Sequence, residues 1–396
     1  MLSGSFALGA AGRALGVLEL FVLAAGGAGL VAVGVVSVLA RRRVELEGTR
    51  RLVPNRVHAG ADSRVELVVR NRGARPSPVV TLRDAVVPVR VAPGSTPRLA
   101  RFHVAPLQPG EANRAAYRLG AERRGIFRIG PLETVVSDPF GLASSTTPSA
   151  PVTELTVYPR VEGVAAPPLT TGHDPRSGGG HPTFLGSGDE FYGLRAYEVG
   201  DDLRRVHWPS TARQDELMIR QHELPWQGRA TVLLDVRAGA HTEESLEAAV
   251  SAAASLLTAS WHRDSQVRLL TTDGLDSGYG SGPGHLEAAM EHLAVVEAGS
   301  DRLDALVGAL RRRATGALVV VTTTAPSVGA LEQLVVSPGG YGWIAVVLIA
   351  RAAGEARLTP PAALSVHVDA GGSLAEAWNR AVAGTTAGLA GRGTRP

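Results

Sequence analysis

The sequence predicts a multidomain protein with N-terminal transmembrane segments, an all-β sandwich and then an α/β domain. Three observations predict this order. Residues 20–40 are an uncharged run long enough to cross a bilayer as a helix. Residues 44–160 hold short runs of alternating apolar residues that turn residues separate, and residues 188–390 alternate between strand and helix patterns. A glycine- and proline-rich stretch, 161–187, reads as the linker between the last two regions.

The first region, residues 1–43, is predicted to be a membrane anchor. The apolar helix over 20–40 is followed at once by three arginines, 41–43, which place its C-terminal side in the cytoplasm. Residues 2–18 are also apolar, and either form a hairpin with that helix or lie at the interface with Arg13 reaching the headgroups. A signal peptide fits less well, because the basic residues follow the apolar run.

Composition excludes several classes of function. All 40 basic residues are arginine and cysteine is absent, so disulfides, thiolate metal sites, cysteine nucleophiles and lysine-rich nucleic-acid tails are excluded. Residues 41–160 carry 20 arginines against 10 acidic residues, a net charge of +10, whereas residues 161–396 carry −7. The basic region either lies near anionic lipid headgroups or is a solvated face without a partner. Nucleic acid is a weaker interpretation, since no binding motif accompanies the charge.

The β region shows the alternation of half-buried strands. Val65, Leu67 and Val69 alternate with more polar neighbours, and similar runs recur about every ten residues between turns. This spacing predicts an antiparallel sandwich. The prolines within it are expected at edges or in loops: Pro76, Pro78, Pro88 and Pro97.

The α/β region begins with an apolar strand over 230–234 that ends at Asp235. A helix follows over 243–262, with Thr242 as its N-cap. Further strands are predicted at 267–271, 317–321, 344–349 and 364–368, and further helices at 285–297, 301–313, 328–335 and 374–382. This alternation predicts a mostly parallel sheet with helices on both faces. In such sheets, sites lie at the carboxyl ends of the strands.

The densest motif, residues 186–223, packs acidic residues, arginines and aromatics together. Here the sequence resembles the bacterial domain of unknown function 58 family, at Gly188, Glu190-Phe191, Leu194-Arg195, Tyr197, Gly200-Asp201-Asp202, Arg204, Trp208 and Ala212-Arg213. The string Asp138-Pro-Phe-Gly141 also looks familial. The resemblance implies a von Willebrand factor A-like domain in the α/β region. It also implies a MoxR-type AAA+ ATPase as partner.

This motif has two physical interpretations. Carboxylates and guanidiniums at such density can form a bidentate network that braces the segment onto the sheet, which we favour, or they can form a surface for a partner protein. Catalysis is a weaker interpretation, because neighbouring arginines keep the carboxylates ionised. The residues concerned are Glu190, Arg195, Tyr197, Asp201, Asp202, Arg204, Trp208 and Arg213.

No metal or cofactor is expected. The von Willebrand factor A-like fold often binds a divalent ion through Asp-x-Ser-x-Ser after its first strand, but here the string is Asp235-Val-Arg-Ala-Gly239. Arg237 and Gly239 replace the two hydroxyl ligands, so Arg237 is expected to pair with Asp235 where the cation would be. The later Thr271-Thr272-Asp273-Gly274 follows the second strand, which is the wrong place for the motif, and Thr322, Thr323 and Thr324 stand where its last Asp belongs.

Together these observations predict a non-enzymatic, membrane-anchored protein-interaction module. It faces the cytoplasm and is the partner or adaptor of a MoxR-type AAA+ ATPase in assembly or maturation of envelope-associated complexes. The first alternative is a divalent-ion-dependent adhesion module, which the degenerate Asp235 string disfavours. The second is a hydrolase of cell-envelope material, for which no nucleophile–base pair is evident in the sequence.

Overall fold

The computed structural model describes most of the chain. The described residues are 2–41, 45–91, 98–138, 143–168, 191–196, 208–214, 217–222, 228–299, 310, 315–324, 340–352 and 363–390. They form a sheet-rich protein of two compact units, one of Met1–Arg160 with Met290–Glu297 and one of Val161–Ala289 with Ala298–Pro396. Of the helices predicted over 301–313 and 328–335, residue 310 alone is described, and the other residues lie outside the described ranges.

Two N-terminal helices open the first unit, α1 (Leu2–Leu15) and α2 (Leu18–Arg41). A Cβ at Gly27 would lie 2.5 Å from the hydroxyl oxygen of Ser5, and one at Gly12 would lie 3.1 Å from the Phe21 ring. Glycine at these positions therefore lets the two helices approach closely. The 19-residue segment 18–36, apolar apart from Glu19, is long enough to cross a bilayer. At 14 residues, α1 spans only about 21 Å.

The rest of the first unit is two antiparallel-rich sheets. One has the order β1-β3-β6, and the other has the order β2-β9-β7-β4-β5 with β8 paired to β7. The strands are β1 (Leu46–Val53), β2 (Arg56–His58), β3 (Asp62–Asn71), β4 (Val80–Val91), β5 (Arg98–Val104), β6 (Ala112–Gly120), β7 (Gly125–Ser137), β8 (Ser144–Ala150) and β9 (Thr153–Tyr158).

One apolar core lies between these two sheets. Val65, Leu67 and Val69 of β3 are buried in the same cluster as Leu82 of β4 and Ile129 of β7. The alternation read from the sequence is therefore the alternation of an inward and an outward face.

Pro88 stands inside β4 rather than in a loop. Among the described residues, β4 pairs with β5 over residues 80–86 and with β7 as far as Val91. Pro88 therefore lies past the last described pair with β5, beside a register shift between Pro88 and Arg90. A missing backbone N–H is tolerated at such a position.

A buried ion pair crosses the core, and nothing in the sequence indicated it. The Arg50 guanidinium donates to both carboxylate oxygens of Asp84, at 2.5 and 3.1 Å, and to the carbonyl oxygens of Ile129 and Pro151 at 2.8 Å. The Tyr117 hydroxyl donates to Asp84 at 2.8 Å. Burial, together with the Asp84 carboxylate, raises the pKa of Tyr117, so this phenol stays a donor.

The second unit begins with a two-stranded antiparallel sheet. Its strands are β10 (Phe191–Ala196) and β11 (Met218–His222), and the short helix α3 (Trp208–Gln214) lies between them in the chain. The Thr211 hydroxyl accepts a hydrogen bond from the Met218 amide at 3.0 Å, which joins α3 to β11.

A five-stranded sheet forms the core of the second unit, in the order β13-β12-β14-β15-β16, and all four pairings are parallel. Most residues of its three central strands are buried, as expected where helices cover both faces. The strands are β12 (Arg229–Leu234), β13 (Gln266–Thr271), β14 (Ala317–Thr323), β15 (Trp343–Ile349) and β16 (Leu364–Val368).

Three longer helices accompany this sheet: α4 (Glu243–His262), α5 (Pro283–Val295) and α6 (Leu374–Ala390). The predicted helix over Glu243–His262 is confirmed with the same bounds. Thr242 is its N-cap and forms a reciprocal capping box with Ser245. The predicted helix over 374–382 extends further, to Ala390.

Residues 161–168, which the sequence places in the linker, pack on the second unit. The Glu162 carboxylate accepts hydrogen bonds from the Ser373 hydroxyl at 2.7 Å and from the Ala375 amide at 3.0 Å, at the start of α6. The fully buried Trp378 donates its indole N–H to the Ala165 carbonyl at 2.7 Å. This part of the predicted linker is therefore tied to α6.

Candidate functional site

The candidate site lies where the strand order of the parallel sheet reverses. β12 is the first strand along the chain, yet it lies between β13 and β14. Connections from β12 and β14 therefore leave the sheet in opposite directions, which opens a crevice at their carboxyl ends. Asp235 follows β12 directly, and Thr322 lies near the end of β14.

Asp235 and Arg237 form a bidentate ion pair in this crevice. The Arg237 Nε donates to Asp235 Oδ1 at 2.9 Å, and Nη2 donates to Oδ2 at 2.8 Å. The Arg237 backbone N–H also donates to Oδ1, at 3.1 Å. The Asp235 side chain is fully buried and that of Arg237 is 10% exposed. The pairing expected from the sequence is thus present, and it is closed off from solvent.

Two threonines complete the hydrogen bonding of Asp235. The Thr322 hydroxyl donates to Oδ2 at 2.8 Å, and the Thr272 hydroxyl donates to Oδ1 at 3.3 Å. Thr272 also accepts from the Val236 amide at 2.8 Å. Strands β12, β13 and β14 each contribute to the cluster, because parallel neighbours end at the same edge of the sheet.

This environment holds Asp235 ionised. Burial on its own would raise the pKa of Asp235, but the hydrogen bonds from Arg237 and Thr322 and the Arg237 charge outweigh it and bring the pKa below its ordinary value. A carboxylate in this state is a poor general acid or base at neutral pH. The ion pair is therefore suited to holding the loop in place rather than to proton transfer.

The residues present do not suit a divalent ion. Asp235 follows β12 at the crevice, and both of its oxygens already accept from Arg237 and from a threonine. Asp273 accepts from the Thr271 hydroxyl within its own turn. A positive guanidinium bonded to the same carboxylate would also repel a cation. Among the described residues, moreover, no three His, Asp or Glu side chains cluster as ligands.

The rim of the crevice is more open than its floor. Ala238, Gly239 and Gly274 are exposed and Asp273 is partly so. A Cβ at Gly239 would meet nothing within 4 Å, so a larger side chain fits there. The Thr323 hydroxyl donates to the Ala240 carbonyl at 2.6 Å, which fixes the loop behind the rim.

The family-motif residues are only partly described. Trp208 begins α3 and is 67% exposed. Arg213, in the last turn of α3, is exposed and makes no ion pair or hydrogen bond with a described residue. Arg195 lies on β10 opposite Ile219. The remaining members lie outside the described residues: Glu190, Tyr197, Asp201, Asp202 and Arg204. Whether the motif is a brace or a partner surface stays a prediction.

Sequence reasoning missed the role of Thr272. The string Thr271-Thr272-Asp273-Gly274 follows the second strand, so its position in the chain argues against a share in the Asp235 site. In the structure β13 pairs directly with β12, and Thr272 lies beside Asp235. The signal that could have found it is the strand order of doubly wound sheets, which places the second strand next to the first.

Comparisons with known proteins give a family and weak structural likenesses. A comparison with curated proteins found no match. Among solved structures, the CARDB domain of a Pyrococcus furiosus protein in complex with di-metal ions is 16% identical, with a TM-score of 0.22. That match covers 29% of this chain and 93% of the other.

Two further structures match at a similar level. A Listeria innocua β-glucosidase is 18% identical at a TM-score of 0.21, and the match covers 29% of this chain and 16% of the enzyme. The Pseudomonas fluorescens alkylpurine DNA glycosylase AlkC bound to DNA is 9% identical at 0.22, covering 29% and 30%. TM-scores this low carry no argument about fold or activity.

A family assignment rests instead on the sequence of the second unit. Residues 193–354 match the family described as protein of unknown function DUF58. This range contains most of the motif, the Asp235 site and strands β12 to β15. The resemblance predicted from spaced residues of the motif is therefore confirmed by the match of residues 193–354 to the DUF58 family.

Proposed function

We propose that this chain is a membrane-anchored, non-enzymatic protein-interaction module whose second unit is a von Willebrand factor A-like domain that presents the carboxyl edge of its sheet to a partner. The observation that carries the proposal is the closed Asp235–Arg237 ion pair at the reversal of strand order. It fills the crevice where this kind of sheet binds ligands. The exposed rim is then what remains for contact.

The partner we propose is a MoxR-type AAA+ ATPase, and the family resemblance supports this choice. A cytoplasmic ATPase requires the second unit to face the cytoplasm. The arginines at 41–43, the first of which is the last residue of α2, favour that orientation. In the order of the chain, the two sheets of the first unit, proposed to be a β-sandwich, follow the anchor and precede the module.

Charge supports a rim contact with a basic partner. Residues 161–396 carry a net −7. Asp273 stands on the rim, and Glu243 and Glu244 are exposed in the first turn of α4, near the same edge. Acidic groups at an interface accelerate encounter with a basic face, and salt weakens this effect.

The alternatives receive less support. A divalent-ion-dependent adhesion module needs free carboxylate oxygens, and those of Asp235 are already engaged. An envelope hydrolase needs a poised acid or base, and Asp235 is held ionised.

The test is capture of the ATPase by the full chain from detergent-solubilised membranes, with ATP present. Asp273→Asn removes a rim charge while keeping an acceptor for Thr271. Asp264→Asn is the matched control, because it lies at the opposite end of β13, at a φ of 56° that asparagine tolerates. We expect the rim variant to recover about threefold less ATPase and the control to match wild type, the range for a rim charge.

Recovery should also fall as salt is raised from 0.1 to 0.5 M, by analogy with other charge-steered contacts. If no AAA+ ATPase is recovered with wild-type chain, the proposed partner is wrong. If both variants behave alike, the carboxyl edge is not the contact.

A further inference from the structure

The outer face of the sheet β1-β3-β6 carries a grid of arginines. Side chains alternate along each strand, so every second residue faces outward. The outward charged residues are Arg51, Arg64, Arg70, Arg114, Arg118, Glu47, Asp62 and Glu66, all of them partly or fully exposed. We call these five arginines with their three acidic residues the arginine face.

Strand register fixes the arrangement of this face. Arg64 lies directly opposite Arg118, and Val68 lies opposite Arg114. Arg51 lies opposite Glu66 on the other side of β3. Strand spacings of about 4.8 Å and rises of about 3.4 Å place the five arginines within roughly 10 by 20 Å.

Its three acidic residues do not neutralise it, since five arginines against three carboxylates leave a net charge of +2. Glu66 pairs with Arg64 at 3.3 Å, and Glu47 pairs with Arg72 beyond the face, at 2.5 Å. Four arginines remain without an ion pair or hydrogen bond to any described residue: Arg51, Arg70, Arg114 and Arg118. The register sets Arg51 opposite Glu66 and Arg70 opposite Glu47, which stabilises the sheet, whereas Arg64 opposite Arg118 weakens it. Cross-strand pairing therefore accounts for Arg51 and Arg70 but not for Arg114 and Arg118.

We propose that the arginine face lies against an anionic lipid surface. β1 begins at Leu46, five residues after α2 ends at Arg41, so the sheet starts within about 17 Å of the end of the membrane helix. Each arginine near an anionic leaflet contributes on the order of 1 kcal/mol. The inference rests on the proposed membrane anchor.

The shape of the face favours a planar surface over other anions. Its remaining outward residues are small or aliphatic: Thr49, Val53, Val68, Ala112 and Ala116. They offer no aromatic ring on which a base could stack. A flat array of charges suits a sheet of headgroups better than a single phosphate or an unpaired nucleic-acid strand.

The test uses the full chain in lipid nanodiscs with a quencher on the headgroups. Because the chain has no cysteine, Thr49→Cys gives one fluorophore on the arginine face. Leu99→Cys, exposed on the outer face of the other sheet, is the control label. With anionic lipid we expect quenching at residue 49 to exceed that at residue 99 about twofold or more. In neutral lipid or in 1 M salt, where the Debye length is about 3 Å, the difference should vanish.

Charge variants separate this face from net charge. Arg51→Gln, Arg114→Gln and Arg118→Gln together should abolish the extra quenching at residue 49. The control triple Arg98→Gln, Arg101→Gln and Arg128→Gln, on the other sheet, makes the same change in net charge and should leave the quenching intact. Equal effects of both triples would overturn the proposal.

Other outcomes assign the face elsewhere. If the chain does not enter the discs, the anchor itself is wrong, and the proposed function and this inference fall together. If it enters but the two labels are quenched alike in anionic lipid, only the inference falls. If the fluorophore at residue 49 is shielded from solvent in detergent without lipid, the face contacts protein. If the chain binds duplex DNA more tightly than anionic discs, the face binds nucleic acid. Either result would overturn the lipid assignment.

Discussion

Two buried Asp–Arg pairs show what a sequence reveals at the scale of single residues. Asp235 and Arg237 are two positions apart and directly follow an apolar strand, so their pairing can be predicted from the sequence. Arg50 and Asp84 are 34 positions apart on two different sheets, and no local pattern joins them. Breaking either pair would leave an uncompensated buried charge, which costs about 3–5 kcal/mol.

Arg237 and Gly239 are predicted to be what keeps the Asp235 crevice from binding a cation. Arg237→Ser with Gly239→Ser restores an Asp-x-Ser-x-Ser string, and the open space at Gly239 admits the new side chain. The carboxylate of Asp235 and the hydroxyls of Thr272 and Thr322 then supply further oxygen ligands, which Mg²⁺ prefers. Calorimetry should show a stoichiometric Mg²⁺ or Mn²⁺ site in the double variant and no millimolar-or-better site in wild type.

The matched control for the cation prediction is the same double variant with Asp235→Asn, which should lose the site. Stoichiometric, Asp235-dependent binding to wild-type chain would contradict the prediction. It would also revive the adhesion alternative.

At the scale of elements, the sequence predicts helices whose caps and apolar stripe lie within one stretch of chain. It does not predict contacts between segments that are far apart in the chain. α4 has its N-cap, its acidic first turn and its apolar stripe within one stretch of chain, so its bounds could be predicted. The prolines and glycine of residues 161–168 predict a linker. Their partners on α6 and at Ser373 lie more than 200 positions away, and the Ser255 hydroxyl, which accepts from the Glu162 amide, lies 93 positions away. Composition reports local flexibility, but it cannot report a distant hydrogen-bond partner.

Glu162 is predicted to hold residues 161–168 on α6. Glu162→Ala removes two hydrogen bonds to a charged acceptor and should lower the free energy of unfolding of the second unit by about 2 kcal/mol. Hydrogen exchange at residues 163–165 and in the first turn of α6 should accelerate. The Ala165 amide donates to the Asn379 side chain of α6, and this bond opens more often when Glu162 no longer holds the segment on the helix.

Glu376→Ala is the matched control for this prediction. It removes an exposed acidic residue from the same first turn of α6, where only its interaction with the helix dipole is lost, about 0.3–1 kcal/mol. If the two variants lower the free energy of unfolding equally, the hydrogen bonds of Glu162 add nothing beyond the interaction of a negative charge with the helix dipole.

At the scale of the whole molecule, the order of regions could be predicted because each has its own periodicity. An uncharged run, a period of two and then strand–helix alternation follow one another along the chain. Which strands are neighbours could not be read in the same way. The order β13-β12-β14 brings Thr272 to Asp235, and the β1-β3-β6 register assembles the arginine face. Both are products of long-range pairing, and the residues involved look ordinary in sequence.

The arrangement in the membrane gives the last prediction. Residues 18–36 form an apolar helix of sufficient length, and the arginines at 41–43 follow it. If α2 spans the bilayer with that flank inside, the chain should stay in the pellet after alkaline carbonate washing. Protease added outside intact cells should spare everything after residue 43. Replacing all three arginines of 41–43 with glutamine should weaken this orientation, whereas the same change at Arg51, Arg114 and Arg118, further from the helix, should affect it less. Release into the wash, external cleavage of the β region, or a chain shortened after the apolar run would instead identify a signal sequence.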